Sequence, residues 1–152
     1  MRLSRTIEIA APPEVVWSVW RDVERWPEWT ASVTSVEPLA PGPFAVGYRA
    51  RVLQPKLPRA VWQVTELEEG RRFVWVYGSP GVRLTASHRV EPSAAGTRAE
   101  SYVEFSGPFG GLVGRMTRAT TERYLSMEAE GLKARSEELA AGRAGAQGSN
   151  RR

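Results

Sequence analysis

The chain has no cysteine and one histidine. The first absence removes disulfides, thiol nucleophiles and thiolate metal sites together. The second leaves too few imidazoles for zinc, so only a carboxylate-rich metal site would remain, and the acids are scattered over strand faces and helix ends. No metal and no other cofactor is expected. No apolar run approaches the roughly 20 residues needed to cross a bilayer, so no membrane span is expected. The N-terminal "MRLSRTIEIAAPPE" lacks the continuous apolar segment of a signal peptide, and a cytoplasmic location is the expectation. No GxGxxG follows a strand pattern, "GPFGGLVG" lacks the Lys-Ser/Thr of a phosphate loop, and no internal repeat is present.

The net charge of +4 invites a nucleic-acid reading until its distribution is considered. Three of the 21 basic residues, Arg143, Arg151 and Arg152, lie after Ala140, where there is no acid. The body therefore holds 18 basic against 17 acidic residues, a net +1, which is a poor electrostatic footprint for a phosphate backbone. No nucleic-acid partner is expected.

What remains is a chain of 152 residues, enough for one domain with a substantial core. "LSRTIEIA" alternates as a strand, with Leu3, Arg5, Ile7 and Ile9 on one face. Pro13-Glu14 suits a first helical turn, Val16, Trp17 and Trp20 follow at helical spacing, and a second short helical piece starts near Asp22, a good N-cap, and is interrupted by Pro27. From residue 32 the pattern becomes strands at about 32–39, 46–54, 59–68, 72–79, 82–91 and 97–106, split by Pro- and Gly-rich turns short enough to impose antiparallel pairing. After "SGPFGG", whose glycines permit a tight turn or a mobile gate, a long helix is predicted over about 112–139. Leu112, Met116, Ala119 or Thr120, Tyr124, Met127 and Gly131 are its expected buried stripe. The remainder, 140–152, lacks apolar bulk and reads as a disordered tail. The class is α+β, with a curled antiparallel sheet of seven strands covered by its one long helix.

That order of elements, together with "APPEVVWSVWRDVERWPEW", resembles the START-like SRPBCC superfamily, and within it the small bacterial polyketide cyclase/dehydrase-like proteins. The residues carrying the likeness are Ala11-Pro12-Pro13-Glu14, Val16, Trp17, Asp22 and Trp26-Pro27-x-Trp29, followed by the stretches "VGYRARVLQPKLPRAVWQVTELEEG" and "GTRAESYVEFSGPFGGLVG". The resemblance spans about residues 3 to 139 and implies a helix-grip domain over 1–139: a sheet wrapped round the C-terminal helix with a cavity between them, and two short helices closing one end. It says little about function, because one such fold carries many.

Strand parity then nominates the cavity wall. Tyr48, Gln54, Trp62, Trp75, Tyr77, His88 and Ser101 fall on inner faces, while most arginines and acids of the strands fall outside. Met116 and Tyr124 are added from the helix stripe. Trp26 and Trp29 lie in the segment that closes the cavity in relatives, as a structural plug or as an aromatic wall at the entrance. An apolar list with a few polar groups suits a small-molecule pocket and an ordinary core alike. His88 is either a satisfied core group or a general acid/base, and the one candidate catalytic residue. The expected function is binding of a small hydrophobic molecule, aromatic or polyketide-like, as carrier or sensor. A cyclase or dehydratase is the first alternative, a protein-interaction module with a filled cavity the second. Oligomeric state is left open.

Overall fold

The computed structural model describes residues 1–149, and Asn150, Arg151 and Arg152 lie outside the described residues. Strand β1 (Arg2–Ile9) leads into helix α1 (Pro13–Arg21) and a 3₁₀ helix (Val23–Glu28). Six strands follow, β2 (Ser35–Pro38), β3 (Arg49–Leu53), β4 (Ala60–Glu68), β5 (Arg72–Ser79), β6 (Val82–Ser93) and β7 (Gly96–Ser106), and then helix α2 (Gly110–Ser149). The seven strands form one antiparallel sheet in the order β1-β7-β6-β5-β4-β3-β2. The short links from β2 to β7 allow only a meander. Since β1 pairs with β7 at one edge, α1 and the 3₁₀ helix must carry the chain across the end of the sheet to β2 at the other.

Helix α1 starts as its sequence dictates: Pro13 stands in the first turn, where a missing N–H costs nothing, and the Pro12 carbonyl accepts the Val15 N–H at 3.0 Å. Asp22 precedes the 3₁₀ helix without a side-chain capping bond and instead faces the Arg25 guanidinium at 3.5 Å. Val15, Val16, Val19 and Trp20 are buried, fixing α1 to the core.

One row of inner residues shows how the sheet presents a continuous wall. Leu3 stands opposite Val103, Val103 opposite Ala86, Ala86 opposite Trp75 and Trp75 opposite Val64. In β4 the register shifts between Val64 and Glu66, so Trp62 and Val64 face inward before the irregularity and Leu67 packs on the core after it. A bulge of this kind bends its strand and adds curl. It also explains why simple alternation along 59–68 has no single phase.

Helix α2 lies across the concave face, reached through a turn in which Gly107 takes φ +90°, a left-handed value that favours glycine. Leu125, Ala129, Leu132 and Ser136 are buried, with Val113, Thr117, Thr121, Tyr124 and Glu128 partly so. The start of the expected stripe is thus out of phase, with Leu112 58% and Met116 78% exposed, whereas Tyr124, Met127 and Gly131 farther along are partly buried. The inward positions of the first turns are Val and Thr rather than large apolar residues, because there the helix faces open space. The helix also runs ten residues beyond Leu139, to Ser149, which corrects the disordered tail for 140–149. No proline interrupts the alanine-rich continuation, and Ala140 still packs on the core. Among the described residues no helix is long and apolar enough to cross a membrane.

Candidate ligand cavity

The four tryptophans between positions 17 and 29 build the closed end of the domain. Each buried indole finds an acceptor: Trp17 Nε1 donates to Glu69 Oε1 at 3.0 Å, Trp20 Nε1 to Glu128 Oε1 at 2.7 Å, and Trp26 Nε1 to the Trp20 carbonyl at 2.9 Å. Around them the rings interlock. His88 stacks on Phe73 with centroids 4.3 Å apart and meets Trp20, Trp26 and Trp75 edge-on at 5.1, 5.3 and 6.1 Å. Trp26 and Trp75 are each 3% exposed, so this end is solid.

Beyond it the rings give way to space. A cavity of about 250 Å³ runs between strands β4–β7, the β3–β4 connection and α2, from Val113 to Glu128 along the helix. The lining positions of α2, fifteen residues apart at about 1.5 Å each, span about 22 Å of helix axis. Trp62 and Tyr77, with centroids 5.9 Å apart, form its aromatic wall, and Ala60, Leu84, Val103 and Phe105 continue it. Exposed Pro58 and Ser79 mark the mouth, and the aromatic plug closes the far end at Glu128. A second depression, about 440 Å³, lies away from this seam and is lined by Arg21, Asp22 and Glu24 with Phe44.

Of the residues nominated from the sequence, Gln54, Trp62, Tyr77 and Tyr124 come together on the cavity wall. Trp26, Trp75 and His88 stand behind it in the plug. Ser101 is buried opposite His88 in the sheet register. Trp29 packs against Trp26 at 5.7 Å, and Tyr48 against Phe44 at 5.2 Å. None of these six lines the cavity, and Met116 points to solvent. Burial pushes the Tyr48 phenol up to about 12, with the Glu24 carboxylate adding to the effect. His88 Nδ1 has no partner among the described residues, while its Nε2 stands 3.4 Å from Glu128 Oε1.

Glu128 is the residue that sequence reading missed. Its side chain is 12% exposed and it is the one charged group on the cavity wall. The signal was its spacing: Leu125, Ala129 and Leu132 around it define the buried side of α2. Tyr124 O–H donates to the Pro55 carbonyl and Gln54 Nε2 to the Ser32 carbonyl at 3.1 Å, tying the β3–β4 connection and the segment before β2 to the cavity rim. Among the described residues no group of three or more His, Asp or Glu side chains is placed to hold a metal ion.

Residues 1–137 match the family model described as "Polyketide cyclase / dehydrase and lipid transport". The chain belongs to that family. No curated protein matches it. Among solved structures, this member of the polyketide cyclase and lipid transport family is similar to a Thermus thermophilus protein, with a TM-score of 0.71 and 22% identity over 93% of this chain and 99% of that one. It is also similar to a START superfamily protein from Mycobacterium smegmatis, with a TM-score of 0.67 and 20% identity over 91% and 98% of the two chains. XoxI from Bacillus cereus shares the fold with a TM-score of 0.71 at 15% identity over 91% and 96%. These likenesses establish the helix-grip architecture, with its START-type seven-stranded sheet around a C-terminal helix.

Proposed function

We propose that the domain binds a small, largely hydrophobic molecule in the channel between sheet and α2, as a carrier or sensor. The observation that carries this reading is the cavity itself, open at one end and walled by Trp62, Tyr77, Leu84 and Phe105. Its 250 Å³ lies just below the about 300 Å³ where drug-sized pockets begin, which suits a body of one to three rings better than a two-chain lipid. An interaction module would be expected to fill this space with side chains. Catalysis ranks second, because His88 stands behind the wall and, among the described residues, no hydroxyl of the channel is hydrogen-bonded to the Glu128 carboxylate as a nucleophile would be to its base. A chain without cysteine folds without an oxidising compartment, and the cytoplasm is the location we assign it.

Native mass spectrometry of protein purified without denaturation, beside a Thr121→Trp variant whose new ring enters the channel, tests the reading. A small-molecule adduct on the wild type that is absent from the folded variant is the expected result. Equal adducts on both would mean that the ligand sits elsewhere.

A further inference from the structure

The polar groups of the channel differ between its wall and its inner end. On the wall, Gln54 Nε2 donates to the Ser32 carbonyl, Tyr124 O–H to that of Pro55, and Thr117 Oγ1 to that of Val113 at 2.8 Å, while the Trp62 indole N–H and the Tyr77, Ser79 and Thr121 hydroxyls have no hydrogen-bond partner among the described residues. Neither lysine nor arginine lines it. At its inner end stands Glu128, and a carboxylate offers acceptor sites only.

The carboxylate is held rather than free to rotate. Oε1 receives the Trp20 indole N–H at 2.7 Å and faces His88 Nε2 at 3.4 Å. Trp20 is 2% exposed and His88 3%, the two rings meeting edge-on at 5.1 Å from different elements, with His88 also stacked on Phe73. No protein donor reaches Oε2 among the described residues. One oxygen is therefore anchored on the protein side and the other is left for a partner, an arrangement in which little ordering remains to be done on binding.

We infer that the channel selects molecules whose leading end is a hydrogen-bond donor, a hydroxyl or a protonated amine on an aromatic or alicyclic body, and rejects the corresponding carboxylates, with Glu128 Oε2 as the receiving atom. This rests on the channel being the ligand site. The apolar wall accepts the body of either class, so discrimination lies at the inner end. A donor there completes the coordination of Oε2, whereas an anion at the same place meets a like charge with no lysine or arginine on the channel wall to offset it.

Isothermal titration of the full chain at neutral pH with naphthalene, 2-naphthol and 2-naphthoate tests the inference, because the three share a body and differ at one end. A hydrogen bond to a charged group supports a preference of at least about tenfold for 2-naphthol over 2-naphthoate. Glu128→Gln keeps an oxygen for Trp20 and turns the free arm into an amide donor, and should cut that preference to about threefold or less. Equal binding of naphthol and naphthoate by the wild type, or an undiminished preference in folded Glu128→Gln, overturns the inference and leaves the cavity reading standing. Failure of all three probes to bind overturns the cavity reading, and the inference with it. The wild-type series decides by itself should the variant not fold.

Discussion

Gly131 sits in the middle of α2, where glycine costs about 1 kcal/mol relative to alanine, so Gly131→Ala would ordinarily stabilise the protein. The structure reverses the sign. A Cβ at this position would overlap the Trp29 carbonyl oxygen and stand 3.1 Å from Trp29 Cε3 and 3.2 Å from the Trp29 carbonyl carbon. The obstacle is backbone at the end of the 3₁₀ helix, held in turn by the bonds of Trp29 and Thr30 N–H to the Trp26 carbonyl at 3.1 and 3.0 Å. Overpacking costs about 1–3 kcal/mol, and a rigid neighbour puts this site at or above the top of that range. After subtracting the helix-propensity gain of about 1 kcal/mol, a net loss of about 2 kcal/mol or more is expected, or at least about 4–8 °C in Tm for a chain of this length. Thermal unfolding followed by circular dichroism measures it. Gly142→Ala is the control, since nothing would meet its Cβ and the global transition should not fall. A Gly131→Ala protein that melts at or above the wild-type temperature would refute the reasoning.

Two predictions concern pH. Tyr48 titrates near 12 in the folded chain against 10.0 for a free phenol, so its contribution is fully present below pH 10 and is lost as pH rises toward 12. Discounted for partial exposure, this is about 1–2 kcal/mol. Urea unfolding at pH 9 and pH 11.5 should show the wild type losing that much more stability than Tyr48→Phe, and parallel losses would disprove the assignment. Burial pushes the Glu69 carboxyl up, but the Trp17 and Arg21 bonds outweigh it and hold the group below 4.5, so its contribution is present above pH 4.5 and disappears as the medium becomes more acid. Because Glu69 is largely exposed, Glu69→Gln should cost only about 0.5 kcal/mol at pH 7, and the difference from the wild type should vanish below pH 3.

The architecture was legible because strand parity and the proline and glycine punctuation report on the same object. In β5, Phe73 and Trp75 lie on the inner face and are buried, although Val74 between them is buried too, and the six meander strands lie within a few residues of their expected bounds. Parity says which face a side chain is on, however, and not how deep it lies. His88 and Tyr77 share the inner face of the sheet, yet one is packed in the plug and the other walls the channel. The phase of α2 was misread for a related reason. Hydrophobicity locates a helix face that meets a core, but the first turns of α2 meet a cavity, where Thr117 and Thr121 do as well as leucine. Apolar Leu112 and Met116 consequently marked the wrong side. Glu128 was passed over because a helix glutamate is ordinarily a surface residue; its spacing from Leu125, Ala129 and Leu132 was the one signal, and its indole partner Trp20 lies 108 positions away in sequence.

The channel also gives the protein a mechanical property. Space left unfilled in the native state is eliminated on unfolding, and 250 Å³ per molecule corresponds to about 150 mL/mol if all of it were dry, against the typical 20–100 mL/mol volume decrease of whole proteins. The stretch around Leu84, Val103 and Phe105 offers water no side-chain hydrogen-bond partner. Hydrostatic pressure therefore acts on this domain where heat and denaturant do not discriminate, working against the empty form in proportion to the dry volume it keeps. A guest that fills the channel removes that volume, so occupancy is written into the compressibility of the molecule as well as into its chemistry.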